Sequence, residues 1–408
     1  MSHRVVVTGM SGITAFGDTW EKIRPQLESK KNAVRYMTEW DCSDDLRTRL
    51  AAPIENYVFP KFPRKKVRSM GRVSLLATCA TQTALEQAGL LTSEILTDGR
   101  TGIAYGSSSG SMAPITVFSN MLNTGSMTGF TSTSYVEMMS HTAPVNMGVF
   151  FGCKGRIIPT SSACTSGSQG IGYAYEAIKY GKQQVMIAGG AEELNITQAA
   201  VFDSLFATST QNSSPQLSPK PFDKNRDGLV IGEGAGTLIL ENYDHAKQRG
   251  ANILAEVVGF GCNSDGAHVT QPKQETMATA MQLALQDAQV EAARIGYVSA
   301  HGTATDRGDV AESNATRSVF GRNVPISSLK SYFGHTLGAC GSLEAWLTIE
   351  MMNSGWFAPT ANLDEVDPEC GELDYITESD RVLDCEYVMS NNFAFGGINT
   401  SLIFKKAT

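Results

Sequence analysis

Long apolar runs are missing from this chain. None reaches the roughly 18 residues that cross a bilayer as a helix, so no membrane association is expected. Paired cysteines are missing too. Cys42, Cys79, Cys153, Cys164, Cys262, Cys340, Cys370 and Cys385 stand singly, with no C-x-x-C among them. The opening "MSHRVVVTGM" enters a strand-like run at Arg4 without the anatomy of a secretory leader. These features predict reduced thiols and a cytoplasmic protein. No histidine pairs with a cysteine at ligand spacing, so neither a metal nor another cofactor is expected. A surplus of positive charge is absent as well. Against 41 Asp and Glu stand 33 Lys and Arg, a net charge of −8. Nucleic acid is therefore not expected as a partner, because neutralising phosphates takes a basic surface.

The composition that is present, 42% hydrophobic and 18% charged, suits a soluble chain with a large core. Strand-like runs alternate with helix-like ones: "RVVVTGM", "VSLLATCATQTALEQAGL" and "TGIAYGSSS", then "AEVVGFGCNSD", "ETMATAMQLALQDAQV" and "IGYVSAHGTAT". Such alternation predicts βα units and a mainly parallel sheet. Segments also echo one another in order. "ALEQAG" resembles "ALQDAQ", and "IPTSSACTSGSQGIGYAYEAI" resembles "VPISSLKSYFGHTLGACGSLEAWLTI". Two similar α/β halves follow, 1–250 and 251–408, the first with an insertion around Met112 to Met147.

Four stretches can carry chemistry. In "TSSACTSGSQG", Cys164 sits where an apolar strand turns into a helix. Free N–H groups and the positive dipole end at such a place stabilise a thiolate. They also stabilise an oxyanion on an acyl group carried by the sulfur. A small cysteine filling a core gap is the plain alternative. "SAHGTATDRGD" places His301 in a Gly/Thr loop at a strand's end, where open α/β sheets hold ligands. "SLKSYFGHTLGACGSLEAW" offers Lys330 at the end of a strand, His335 after a glycine and Glu344 in the next helix. "SNNFAFGGINTSL" sets Phe395 beside a glycine pair, where an aromatic can swing. Histidines in loops are commonly structural, and His245 in "ENYDHAKQRG" reads as a helix-surface residue. Separately, "PKFPRKKVRSMGR" gathers Lys61, Arg64, Lys65, Lys66, Arg68 and Arg72 without an acid. It is either a solvated helix face or a docking patch for an acidic macromolecule. "DKNRDG" opens like a calcium loop but has Gly234 at the twelfth position, so it fails as one.

"SSACTSG", "AGGAEE", "PFDKNRDGLVIGEGAG", "HGTATDRGD", "KSYFGHTLGACGSLE" and "NNFAFGG", in that order, resemble the β-ketoacyl-acyl carrier protein synthases of the thiolase superfamily, nearly end to end. The elongating, dimeric Cys-His-His type is the nearest in pattern. The resemblance implies a duplicated five-layered αβαβα fold and a decarboxylative condensation of an acyl chain with malonyl-acyl carrier protein. It implies Cys164 as nucleophile, His301 and His335 as donors to the malonyl thioester, and Lys330 paired with Glu344. It implies Phe395 as gate and oxyanion N–H, Thr303 and Thr305 on the malonyl side, and Ser109 and Phe202 at the acyl pocket. Lys65 and Arg68 become docking charges for acyl carrier protein. A homodimer is implied, or a heterodimer with a chain-length-factor-like subunit. "SSACTSGSQGIGYAYEAIKYG" is similar also to synthases of aryl-polyene and related lipid pathways, the alternative to fatty-acid synthesis. A cysteine acyl hydrolase and a silent carrier-protein scaffold are the readings outside the family.

Overall fold

The computed structural model describes residues 2–407. Eleven strands form the main sheet. In the N-terminal half these are β1 (Val5–Ile13), β2 (Thr101–Gly106), β3 (Ile157–Thr160), β4 (Val185–Glu192) and β5 (Gly234–Asn242). The C-terminal half supplies β6 (Ala255–Ser264), β7 (Ile295–Ser299), β8 (Pro325–Ser327), the two-residue β9 (Asp374–Tyr375), β10 (Tyr387–Ala394) and β11 (Ile398–Lys406). The first half reads β1-β5-β4-β2-β3 across the sheet, and the second β6-β11-β10-β7-β8 with β9 appended. Pairing directions match as well. β1 with β5 and β5 with β4 are antiparallel, as are β6 with β11 and β11 with β10. The remaining pairs of each half are parallel. The sheet is thus mixed rather than mainly parallel, because one strand in each half returns against its neighbours. β1 and β6 join the halves over Val5–Val7.

The echoes in the sequence occupy equivalent places. Helix α1 (Arg72–Gln87) covers the outer face of the first half and α3 (Gln274–Ala288) that of the second, beside α4 (Asp306–Phe320). A methyl group on Gly9 of β1 would lie 2.1 Å from the Ala84 carbonyl oxygen, and one on Gly259 of β6 2.4 Å from that of Ala284. "ALEQAG" and "ALQDAQ" therefore press on the same point of their respective sheets. Between the sheet halves lie α2 (Ser166–Lys179) and α5 (Cys340–Ser354), the middle layer of five. Their buried small residues, Gly167, Gly170 and Gly172 in α2 and Gly341, Ser342 and Ala345 in α5, let them be enclosed on all sides.

The insertion folds as helices Ala113–Thr124, Ser134–Met138 and Thr142–Phe151, ending somewhat later than expected. Lys330 does not end a strand: β8 stops at Ser327 and Lys330 opens the short helix Lys330–Phe333. His245 is no free surface residue either. Its Nδ1 bonds the buried Glu241 carboxylate, which Arg249 also grips. Among the described residues no helix is long and apolar enough to cross a membrane.

Candidate active site

The cysteine turn is built from small residues. After β3, Ala163 takes a left-handed φ of 49° and starts a single 3-10 turn, Ala163–Thr165, that runs straight into α2. Ser166 ties the turn down: its Oγ donates to the Ala163 carbonyl (2.7 Å) and accepts from the Ser162 N–H (3.0 Å). Leu337, with φ 47°, begins the matching 3-10 turn Leu337–Ala339 before α5. Gly338 thus occupies in the second half the place that Cys164 holds in the first.

Cys164, His301 and His335 converge, all buried. The Cys164 Sγ lies 3.0 Å from Nε2 of His335. The two imidazole rings meet edge to face at 5.1 Å, at an angle of 88°. His335 is fixed through its backbone, donating to Val230 (2.6 Å) and accepting from Gly232 (2.9 Å). The Leu337 N–H donates to its Nδ1 (3.3 Å), so its proton sits on Nε2 and points at the sulfur. His301 follows β7, and the Glu312 carboxylate accepts the N–H groups of His301 and Gly302, each at 2.7 Å.

A cavity of about 520 Å³ is lined by Cys164, His301, His335, Thr303, Thr305, Phe202 and Phe395, among others. Phe395 stands edge-on to Phe202 at 5.9 Å, ahead of Gly396 and Gly397, which have φ of 94° and 75°. The hydroxyls of Thr303 and Thr305 are 2.9 Å apart. Lys330 and Glu344 stand behind this wall, their charges paired at 2.5 Å. Ser109 is not part of the wall; its hydroxyl lies 3.5 Å from the amide nitrogen of Gln198. Lys65 and Arg68 are exposed at the short helix Arg64–Val67, away from the cavity. Arg72 leaves that basic stretch altogether, holding the buried Glu233 through two contacts at 2.8 and 2.9 Å.

Electrostatics follow from burial and one cation. Burial pushes the Cys164 thiol up to about 11, while the N–H of Phe395, the Lys330 charge and the N–H of Cys164 itself pull it back. Those two N–H groups face the sulfur and can receive an oxyanion formed beside it. Burial and Lys330 hold both imidazoles well below the ordinary histidine value, with His335 adding to the effect on His301. Both rings are therefore neutral donors at neutral pH. Burial also works against the Lys330 ammonium, but the Glu344 carboxylate paired with it offsets that and the lysine stays charged. The ligand atoms of Cys164, His301 and His335 lie within 4.8 Å of one another, close enough to share an ion. A histidine that binds metal donates from its other nitrogen. Nδ1 of His335 accepts instead, so the donor set is built for hydrogen bonding rather than coordination.

Several contributors were not singled out from the sequence. Asp309 and Glu312 lie one helical turn apart at the start of α4, and Asp309 accepts the N–H groups of Thr303 (3.0 Å) and Phe222 (2.7 Å). Burial raises these carboxyls to about 6 and about 8. Two acids at i and i+3 straight after the His301 loop were a visible signal. Glu192 accepts from Ser107, Ser108 and Gly338 at 2.7–3.0 Å and ties the two halves together. Asn392 joins Glu344 to His301; it lies inside the "NNFAFGG" stretch, where the sequence drew attention to Phe395 alone.

Residues 2–246 match the family described as β-ketoacyl synthase, N-terminal domain, and residues 254–364 match its C-terminal domain. A 3-oxoacyl-[acyl-carrier-protein] synthase 2 of Vibrio harveyi is 38% identical over 417 residues, covering 99% of each chain. A crystal structure of a β-ketoacyl synthase from Burkholderia phymatum STM815 is 63% identical, covers both chains fully and superposes with a TM-score of 0.98. A type II polyketide acyl-carrier protein in complex with its ketosynthase offers a chain 28% identical, covered fully on both sides, with a TM-score of 0.89.

Proposed function

This chain belongs to the β-ketoacyl synthase family, and from that premise we propose how its residues divide the work. The enzyme is a 3-oxoacyl-[acyl-carrier-protein] synthase, an acyltransferase that forms carbon–carbon bonds in fatty-acid elongation with acyl carrier protein as partner. Residues 1–250 carry the nucleophile and 251–408 both histidines. One observation carries the assignment: the sulfur of the first half and the two imidazoles of the second share a single cavity, with Sγ and Nε2 in contact at 3.0 Å.

In the first half-reaction the Cys164 thiolate attacks the thioester carbonyl of an acyl carrier protein. The Nε2–H of His335, the start of α2 and the Lys330 charge favour that thiolate, and its proton ends on the carrier sulfur as that departs. The tetrahedral oxygen takes the N–H groups of Cys164 and Phe395, the carrier thiol departs, and the acyl chain stays on Cys164. Phe202 and Ser109 are assigned to the acyl side. In the second, the malonyl thioester carbonyl lies between His301 and His335, beside Thr303 and Thr305. Carbon dioxide departs, and the electron pair of the broken bond forms an enolate held by the two N–H donors. The enolate carbon attacks the acyl carbonyl, the same two N–H groups again take the oxyanion, and Cys164 leaves as thiolate. Phe395, flanked by glycines, opens and closes the passage between the two sides.

Lys65 and Arg68 are assigned to docking, since an acidic carrier protein needs positive charge on a surface that is otherwise negative. The exposed edge of β3, with Ile157 39% exposed, and the exposed Leu122 and Met127 of the insertion support pairing with a second copy. Eight free thiols support a cytoplasmic setting. The experiment is Cys164→Ala, with acyl transfer and malonyl decarboxylation measured separately. The expected result is no acylation with decarboxylation still detectable. An acylated mutant overturns the nucleophile assignment, and free fatty acid as the wild-type product points to a hydrolase instead.

A further inference from the structure

His301 and His335 must present the same face to substrate, yet they are oriented by different means. His335 has a backbone N–H, that of Leu337, donating to Nδ1. Among the described residues no backbone donor reaches Nδ1 of His301. Its neighbour there is the side-chain amide nitrogen of Asn392, at 3.5 Å. Asn392 is buried, at the inner end of β10.

An amide can turn either end towards a neighbour, and what settles the matter here is Glu344. Nδ2 of Asn392 lies 2.6 Å from Oε2 of Glu344, while Oε1 of Glu344 takes the Lys330 ammonium at 2.5 Å. A carboxylate paired with a lysine accepts and does not donate, so the amide must present its NH₂. Turning it over would set oxygen against oxygen. Oδ1, left on the other side, is buried without a partner, so no contact of its own holds the amide. The NH₂ has two hydrogens. One goes to Glu344, and the other lies between Nδ1 of His301 at 3.5 Å and Sγ of Cys340 at 3.7 Å, the longer distance being ordinary for sulfur. Facing a donor, Nδ1 must be the bare nitrogen and Nε2 must carry the proton.

We propose that Asn392 is a positioning residue for the condensation: through the chain Lys330–Glu344–Asn392 it fixes His301 in the tautomer that donates from Nε2. The ion pair behind the cavity wall thereby acts on chemistry it does not touch. This rests on the reading above, in which the Nε2–H of His301 holds the malonyl carbonyl. The wrong tautomer would turn a lone pair towards the developing enolate. That costs on the order of 10² in rate or more, the scale of a lost oxyanion donor.

The test is ¹⁵N NMR of the full-length enzyme labelled at histidine, with the His301 signals identified by their loss in His301→Gln. Native enzyme should show a bare Nδ1 and a protonated Nε2. In Asn392→Asp an acceptor replaces the amide nitrogen, and Nδ1 should become protonated. A native Nδ1 that already carries a proton overturns the proposal, and so does an Nδ1 still bare in Asn392→Asp. Kinetics give a second arm that needs no signal assignment. Asn392→Leu should lower malonyl-carrier-protein decarboxylation by on the order of 10², with Cys164 still alkylated by iodoacetamide at the wild-type rate. Unchanged decarboxylation overturns the proposal, as does a parallel fall in alkylation, the mark of a general packing defect. If His301→Gln itself decarboxylates normally, the assignment of His301 fails, whatever its tautomer.

Discussion

Gly167 and Gly341 face each other's helices across the internal symmetry of the molecule. A methyl group on Gly167 would lie 2.9 Å from the N–H nitrogen of Ser342, and one on Gly341 would lie 2.7 Å from that of Ser168. The two middle helices therefore touch backbone to backbone, each at its second residue, directly after its 3-10 turn. Cys164 and the His335 loop come within reach because nothing larger than hydrogen separates these two points.

Gly167→Ala tests that closeness. The added methyl meets backbone atoms on the other side, Ser342 N of α5 at 2.9 Å and Gly338 O of the turn before it at 3.0 Å, and neither can turn aside. Overpacking of this kind costs about 1–3 kcal/mol. Urea unfolding should register that loss, and condensing activity should fall with it because the sulfur-to-imidazole distance opens. Wild-type stability and activity in the variant would show that the helices can separate without harm.

Stability should respond to acid through the two histidines. Both are held below their ordinary value in the folded state by burial and Lys330. As pH falls through about 6.5 the unfolded chain takes up protons there that the folded chain refuses. Their share of stability is thus fully present above that pH and is lost below it, by up to about 1.4 kcal/mol per pH unit for each ring. Glu312 and Asp309 act in the opposite sense. Their raised values keep protons on the folded state that the unfolded one releases, so their share falls as pH rises towards about 8 and about 6. The comparison that isolates a histidine is His335→Gln against wild type, by urea unfolding at about pH 7.5 and about pH 5.5. The variant should lose less stability on acidification; an equal loss in both would contradict the argument.

Glu344→Gln leaves the Lys330 ammonium buried without its carboxylate. Breaking a buried pair from one side costs about 3–5 kcal/mol. The variant should unfold at clearly lower urea, and Lys330→Met in the same background should recover part of the loss by removing the stranded charge. Failure of the second change to help would mean that the pair is not what Glu344 supports.

Lys65→Glu with Arg68→Glu reverses two exposed charges that do not line the cavity. KM for carrier-linked substrates should rise on the order of tenfold and lose its salt dependence, since rim charges act mainly on encounter. Turnover of a small-molecule thioester should not change. Equal KM values for carrier-linked substrate in variant and wild type would remove these residues from the docking surface.

Much of this architecture could be read from the chain itself, and the reasons are local. Cys164 was visible because a small-residue turn ends a strand and opens a helix. His301 was visible because a Gly/Thr loop follows a strand. The duplication showed through "ALEQAG" and "ALQDAQ", since each helix must offer small residues to a glycine on its sheet. The misreadings have equally physical causes. Lys330 reads as a strand end because "VPISSLK" gives no period that separates the end of β8 from a four-residue helix. Arg72 was counted in a basic patch because its partner, Glu233, lies 161 residues away. Asn392 could not be recognised because its role depends on a carboxylate from α5 and an imidazole beyond β7, which only the folded sheet brings together.

Gly338 has a consequence of its own. It holds the counterpart of the reacting position, with its N–H committed to Glu192 at 3.0 Å. Doubling an ancestral unit produced two elbows but only one workshop, and the spare elbow turned into scaffolding. Variation at the spare should then be governed by fit alone, whereas at Cys164, the proposed nucleophile, a replacement that fits perfectly should still leave the enzyme mute.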